Sequence, residues 1–405
     1  MSKTAAIILA AGRSTRMITD LPKVMHEVCG RPMLAWVIDA CRAVGVDRIL
    51  VVVGYNKDVV INAFPDQPDL AFVHQVEQKG TGNAVAVCRD QLDGCETVLV
   101  LCGDGPLVRP NTLQMLLDKH NQEHSAGTLA TAILKDPAGY GRIVRDSYGN
   151  LQGIIEESDC TELQKLIHEI NPSYYCFQRT SILHALEKLQ PNNVKGEYYL
   201  TDAIKILIES GRRVVAVTAV EPDEVLSINS RQQLALVSQV MEQRIQDRLM
   251  SRGVTIVDPS NTWIDARAEI GQDTVIHPFT YIHGRVKIGR NCSVGPFAFL
   301  RDGTVLEDDV VIGVFTEVKN STLGAGDRAR HHSYLGDATF GKNVNVGTGT
   351  ITANFDGSKI HRTEVGDNVY LGSGSILIAP LHVKSGVQVA PGTVVEEGKT
   401  PGTGK

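Results

Sequence analysis

IGQDTVIHPFTYIHGRVKIGRNCSVGPFAFLRDGTVLEDDVVIGVFTEV, residues 270–318, carries an aliphatic residue at every sixth position. Ile270, Ile276, Ile282, Ile288, Val294, Leu300, Leu306, Ile312 and Val318 follow without a break, and the count resumes at Val365, Leu371, Leu377, Val383, Val389 and Val395. Between the two runs it slips by single residues, through Leu323, Ala329, Leu335, Phe340 and Val346. Glycine often follows the repeated aliphatic, as at Gly271, Gly289, Gly295, Gly336 and Gly372. A six-residue period with small turn residues predicts a parallel β-helix. Each short strand turns one aliphatic inward, and stacked coils make the core continuous.

Upstream the period changes. From Arg231 to Gly253, Leu234, Val237, Met241, Ile245 and Leu249 recur at helical spacing, which predicts a long amphipathic helix ended by Gly253. The irregular run 254–261 marks a boundary. Earlier still, Ala5–Ala10 (AAIILA), Ile49–Val53 (ILVVV) and Val98–Leu101 (VLVL) are continuous apolar runs, as strands buried on both faces require. Helical patterns lie between them, at Met33–Val44 and Asn83–Leu92. This alternation predicts a Rossmann-like α/β domain with a parallel or mixed sheet. The expected organisation is an α/β domain over 1–230, a linker helix over 231–253 and a β-helix over 254–405.

A chain of 405 residues is long for one core and comfortable for two. Its 42% apolar and 21% charged residues fit a globular protein, and its net charge of −6 offers no general basic field to nucleic acid. Phosphorylated ligands would then be held by local cations and backbone amides. The 8 Cys form no C-x-x-C pair, which argues against a zinc knuckle. Scattered cysteines in a chain this large read as reduced, hence a cytoplasmic protein. Met1–Ala6 lacks the pattern of a secretory signal, and no run approaches ~20 apolar residues, so no membrane span is expected.

The chemistry of the first half begins where its first strand ends. Leu9-Ala10-Ala11-Gly12-Arg13-Ser14-Thr15-Arg16-Met17 leads to Leu21-Pro22-Lys23. Small residues directly after a strand let backbone N–H groups approach a phosphate chain. Arg16 and Lys23 add positive charge against a polyphosphate, which phosphoryl-type transfer needs on both sides of the scissile bond. The run is neither a Walker A loop nor the dinucleotide G-x-G-x-x-G pattern.

LAAGRSTRM…LPK resembles the signature of the sugar-1-phosphate nucleotidyltransferases. Gln75-Val76-Glu77-Gln78-Lys79-Gly80-Thr81-Gly82 looks like their uracil- and ribose-side segment, and Gly103-Asp104 like the strand end carrying a metal-binding aspartate. Gly139-Tyr140-Gly141-Arg142, Glu156, Asn171 and Gly196–Asp202 look like a sugar-phosphate pocket, and Ile228–Arg231 like the segment of a second metal ligand, Asn229. The whole order is similar to the bifunctional bacterial family that acetylates glucosamine 1-phosphate and then uridylylates it. What the resemblance implies is uridylyl transfer from UTP to N-acetylglucosamine 1-phosphate. Leu9, Ala10, Ala11, Gly12, Lys23, Gln75, Gln78, Gly80 and Thr81 would bind the nucleotide. Gly141, Glu156, Asn171 and Asn229 would bind the sugar phosphate, Asp104 and Asn229 would hold Mg²⁺, and Lys23 and Arg16 would be catalytic. Cys102 stands where the resembled enzymes usually have tyrosine, and Ser158 where they have lysine.

For the second half, Arg330-His331-His332-Ser333-Tyr334-Leu335-Gly336-Asp337 resembles the acetyltransferase segment of the same family, whose β-helix is left-handed. The resemblance implies that His331 is the general base for attack of the sugar amine on acetyl-CoA. It also implies that Arg301, Lys319, Tyr334, Asn345 and Asn354 bind the substrate and that Asn354, Phe355 and Ser373 meet acetyl-CoA. Phe355 replaces a tyrosine and Ile360 a lysine. The chain stops at Lys405 where the family has a tail that helps close the acetyl-CoA site, and it looks about one coil shorter between Val254 and Arg301. A homotrimer is implied, with acetyltransferase sites shared between neighbouring chains. Three other readings stay open: a monofunctional sugar-1-phosphate nucleotidyltransferase with a non-catalytic trimerising β-helix, a silent sensor of nucleotide sugars, and the same chemistry on a different substrate such as glucose 1-phosphate.

Overall fold

A computed structural model describes residues 3–13 and 15–398. Ser14 of the first loop and residues 399–405, on which the expectation about a closing tail bears, lie outside the described residues. The chain divides into two compact units, 1–238 and 239–405. The division falls inside a helix observed over Arg231–Met250.

The first unit is built on β1 (Thr4–Leu9), β2 (Arg48–Val53), β3 (Leu70–His74), β4 (Thr97–Cys102), β5 (Gly127–Ile133), β6 (Gly141–Arg145), β7 (Leu151–Ile155), β8 (Glu169–Gln178) and β9 (Val214–Thr218). Their order is β9-β5-β8-β4-β1-β2-β3, with β6 paired to β8 and β7. The strands β4, β1, β2 and β3 are mutually parallel, whereas β8 runs antiparallel to β4, β5 and β6, so the sheet is mixed. Ile7, Leu50, Val52, Val98 and Val100 are fully buried, because helices cover both faces of such a sheet. The helix Met33–Ala43 forms as its pattern predicts. The predicted helix over Asn83–Leu92 does not form in one piece: an α-helix over Thr81–Ala86 gives way to a 3₁₀ turn over Arg89–Leu92. The Cys88 N–H bonds the Val85 carbonyl, three residues back, and the tightened turn leaves Cys88 and Leu92 both fully buried.

Register positions the site. Leu9 pairs with Val52 on one side and Cys102 on the other. The loops after β1 and β4 therefore emerge side by side at the carboxyl ends of parallel strands, where open α/β sheets bind ligands.

The second unit is a left-handed parallel β-helix with three faces. Two faces join through the long strands Val311–Lys319 and Arg328–Gly336, which turn one corner without a break. Ile276 stacks on Val294 and Val294 on Ile312, a coil of eighteen residues. The slip in the period is a coil one residue shorter, since Ile312 stacks on Ala329 and Val318 on Leu335. The gap before Val365 is a coil lengthened by an extruded loop, since Phe340 stacks on Val365. The inward aliphatics Ile276, Val294, Leu306, Ile312, Leu335 and Leu371 are all at most 1% exposed. Gly313 is required by close approach: a Cβ there would stand 1.9 Å from the Arg330 carbonyl of the next coil.

Candidate active sites

The Ala11 carbonyl accepts from the Tyr55 N–H and from Gln78 Nε2 at 2.9 Å. Among the described residues nothing accepts the N–H of Ala11 or Gly12, so two donors remain for an anion. Leu9, Ala10, Ala11, Gly12, Lys23, Gln75, Gln78, Gly80, Thr81 and Asp104 line one cleft of about 340 Å³. Gly80 takes φ 109°, and a Cβ there would lie 2.6 Å from the Tyr198 carbonyl. The residue must therefore be glycine for the 75–81 segment to close onto the segment around Tyr198. Gln75 is buried, its Nε2 bonded to Asn83 Oδ1 at 2.8 Å.

Lys23 begins a 3₁₀ turn directly after Pro22. Its ammonium pairs with the Asp104 carboxylate and donates to Asn229 Oδ1 at 3.0 Å. Asn229 reaches this point because the Ile228 N–H bonds the Asp104 carbonyl at 3.0 Å. Arg231, two residues on, donates to the Met17 carbonyl at 3.3 Å and faces His26 Nδ1. Two oxygens thus converge on one positive charge, the arrangement a hard divalent cation takes, so the residues fit such an ion. Among the described residues no group of three or more His, Cys, Asp or Glu could hold a metal. A cation here would take its remaining oxygens from substrate and water.

Arg16 is exposed on the turn Thr15–Met17 and does not line this cleft. Arg13 does, with its guanidinium 5.0 Å from the centre of the Tyr55 ring. Its neighbours in the loop gave no signal to prefer one arginine over the other; a ring at position 55 is visible in the sequence, but its approach to Arg13 is not. Glu197, within the Gly196–Asp202 segment that resembles a sugar-phosphate pocket, also lines the cleft. Burial pushes the Cys102 thiol up to about 12, so it stays protonated and serves as a packing residue.

Gly141, Glu156 and Asn171 come together where β6, β7 and β8 meet. Gly141 pairs with Asn171 across β6 and β8, and a Cβ on Gly141 would lie 3.5 Å from Glu156 Oε2. Asn171 donates to Tyr175 Oη at 2.6 Å, and Glu156 accepts from Thr201 at 3.0 Å. Burial raises the Glu156 carboxyl above its ordinary value, against the Thr201 hydrogen bond. Beneath them Arg142 is 1% exposed and pairs with Glu157 at 2.7 Å.

In the β-helix, Arg301 and Lys319 sit side by side on adjacent coils, one residue beyond the Leu300–Val318 pair. Arg301 pairs with Glu317 at 2.8 Å, and Lys319 lies 3.8 Å from Asp337. Asn354 donates to Asp337 at 2.5 Å and to Tyr334 Oη at 3.4 Å. Arg301, Lys319, Tyr334 and Asn354 therefore share one region. His331 is exposed on the same long strand as Tyr334, stacked on Val314. Asn345 lies on another face, paired with Arg328 and Tyr370, and exposed Ser373 follows that Tyr370–Leu371 strand. Phe355 is 61% exposed at the base of the extruded loop, bridged to Ile360. One chain thus presents the expected acyl-transfer residues as two groups. Asp337 joins the first group; in the sequence an Asp after Gly reads as a turn, and nothing there signals this role.

Comparison with known proteins agrees with both units. The MobA-like NTP transferase domain matches residues 6–205, and the bacterial transferase hexapeptide family, as six repeats, matches residues 267–302. The crystal structure of a UDP-glucose pyrophosphorylase complexed with UDP-glucose is similar in fold, with a TM-score of 0.52 at 17% identity over 60% of this chain and 100% of that one. Similar over nearly their full lengths are proteins named Bifunctional protein GlmU. That of Cyanothece sp. is 42% identical over 97% of this chain and 93% of its own. That of Pelotomaculum thermopropionicum is 42% identical over 93% and 90%, and that of a Geobacillus species 41% over 98% and 94%. The chain belongs to the GlmU family, the bifunctional sugar-nucleotide family that its motifs resemble.

Proposed function

We propose that the first unit transfers a uridylyl group from UTP to N-acetylglucosamine 1-phosphate, and that the second N-acetylates glucosamine 1-phosphate with acetyl-CoA. The observation that carries the first half is the meeting of Lys23, Asp104 and Asn229 beside the N–H groups of Ala11 and Gly12, which have no acceptor among the described residues. A phosphate oxygen of the sugar, ionised at neutral pH, attacks the α-phosphorus in line. The bond to the bridging oxygen breaks, and pyrophosphate leaves with its electrons. Lys23 and the loop amides carry the charge that builds on the phosphates. Arg16 and Arg13 are the further cations available to the leaving group. Mg²⁺, held by Asp104 and Asn229, would neutralise charge on the α-phosphate. Gln75, Gln78, Gly80 and Thr81 shape the base and ribose side, while Gly141, Glu156 and Asn171 hold the sugar.

For acetyl transfer, Arg301 and Lys319 offer adjacent cations to a sugar phosphate; the amine nitrogen bonds the thioester carbonyl carbon, His331 takes its proton, the C–S bond breaks and coenzyme A leaves as a thiolate that is then protonated. The split of Asn345 and Ser373 from Tyr334 and Asn354 supports a homotrimer whose sites draw on neighbouring chains. The domains are then a nucleotidyltransferase over 1–230, the helix, and an acetyltransferase over 254–405, in a protein placed in the cytoplasm. None of the described helices is long and apolar enough to cross a membrane.

An assay with glucosamine 1-phosphate, acetyl-CoA and UTP, each omitted in turn, tests the whole reading. Pyrophosphate should appear only when all three are present, or from UTP with N-acetylglucosamine 1-phosphate. Its absence in both cases would sink the proposal. The same split of residues also suits a β-helix that only assembles trimers. His331→Ala separates the two: acetyl transfer should fall at least ~100-fold with uridylyl transfer intact, whereas unchanged acetyl-CoA turnover favours assembly alone.

A further inference from the structure

Asp337 is 4% exposed and sits at a corner of the β-helix with φ 52°. Its Oδ1 accepts from Asn320 Nδ2 at 2.6 Å, and its Oδ2 from Asn354 Nδ2 at 2.5 Å. The Lys319 ammonium lies 3.8 Å from the same Oδ2. Its own N–H donates to the Lys319 carbonyl at 3.0 Å, and its carbonyl accepts from Thr363. One buried carboxylate therefore gathers three side chains, Lys319 and Asn320 from the coil before it and Asn354 from the coil after.

A carboxylate only accepts, whereas a carboxamide has a donor end and an acceptor end. Facing Asp337, the amides of Asn320 and Asn354 must both present their NH₂ groups. The second Asn354 hydrogen is directed to Tyr334 Oη, 3.4 Å away. Both donors of Asn354 are thereby committed, and among the described residues nothing donates to its Oδ1. That oxygen is the acceptor left for a ligand, and an amine entering the site offers N–H groups to it. Tyr334 keeps its place because Gly336 leaves room: a Cβ there would stand 2.4 Å from the Tyr334 hydroxyl oxygen.

We propose that Asp337 is a positioning residue for acetyl transfer, fixing the amide of Asn354 so that its carbonyl oxygen faces the attacking amine and holding Lys319 beside it. The proposal rests on the acetyltransferase reading of the second unit. An asparagine at 337 could accept from only one of its two neighbours, so either Asn320 or Asn354 would turn over. A misdirected acceptor costs mainly turnover, because it fails to align the nucleophile.

Two variants of the full chain test this, Asp337→Asn and the exchange Asp337→Asn with Asn354→Asp. Release of the coenzyme A thiol is followed against glucosamine 1-phosphate concentration. Pyrophosphate release and the melting temperature report the rest of the molecule. The single variant should lose roughly 10–100-fold in kcat for acetyl transfer, with a smaller change in KM and unchanged uridylyl transfer. The exchange restores the hydrogen bonds from 337 to both neighbours and, because a carboxylate only accepts, still turns an acceptor oxygen of residue 354 toward the amine. It should recover both the melting temperature and most of the lost kcat. An exchange that recovers the melting temperature while acetyl transfer stays low would overturn the proposal, as would a single variant within twofold of the parent. Should the single variant fail to fold, the exchange alone decides. A parent chain that releases no thiol refutes the acetyltransferase reading itself, a result distinct from any difference between variants.

Discussion

Lys23 answers two oxygens at once, from loops that follow different strands of one sheet. Its ammonium is compact and strongly hydrated, suited to a point between phosphate oxygens and less to a planar fork. Lys23→Met should lower pyrophosphate release roughly 10²–10³-fold, the scale seen when one preorganised charge-stabilising group is lost. Lys23→Arg should recover little of it. Initial rates with UTP and the sugar phosphate saturating check this, and a tenfold smaller loss would move the charge-stabilising role to Arg13 or Arg16. At this scale the sequence was legible where residue type alone restricts the chemistry. Small residues after a buried strand, then a lysine, already read as a phosphate loop. What it hid was the choice among equivalents. Arg13 and Arg16 are interchangeable in composition, and what distinguishes them is the place of Arg13 in the cleft wall, over the Tyr55 ring. Asn229 and Asp104 are separated by a long stretch of chain and join through one backbone hydrogen bond that no motif encodes.

The element that the sequence showed best is the coil of the β-helix, since each inward residue repeats with the coil and nothing else competes for that place. The aromatic corner was not anticipated. Phe279, Phe297 and Phe315 each take a positive φ and stack with centroids 4.9 and 5.3 Å apart, contacts that offset the cost of that backbone. A buried charge was hidden as well. Asp327 is fully buried and accepts from the N–H groups of Gly324 and Val344 at 2.8 and 2.7 Å. Burial pushes its carboxyl up to about 7, the two N–H donors opposing and Glu307 and Asp367 adding to the rise. In the folded chain it therefore keeps a proton that the unfolded chain releases near 4. Folding stability falls as pH rises from about 4 through 7, and the whole cost is present above 7. The melting temperature of the parent minus that of Asp327→Asn should drop by roughly several degrees between pH 5 and pH 8. The asparagine loses one acceptor at every pH, a constant offset that the difference leaves flat. A difference that does not change with pH would mean that Asp327 ionises like an exposed carboxylate.

At the scale of the whole molecule the two activities make different demands on assembly. The first unit brings its nucleotide loop, lysine, aspartate and sugar-side residues together within one chain. The second divides its expected residues, with Tyr334 and Asn354 on one face, Asn345 on another and Ser373 in the turn between the strands Tyr370–Leu371 and Ile376–Ile378. If neighbouring copies complete the site, as proposed, acetyl transfer depends on the trimer, while uridylyl transfer does not. Sedimentation should therefore locate a protein concentration below which the trimer dissociates. Across that concentration the acetyl-transfer rate per chain should fall steeply and recover on reconcentration. Pyrophosphate release per chain should stay constant throughout. Equal persistence of both activities in the dissociated chain would place a complete acetyltransferase site within one copy. Parallel loss of both would instead tie the first unit to the assembly, a dependence that nothing in its own cleft requires.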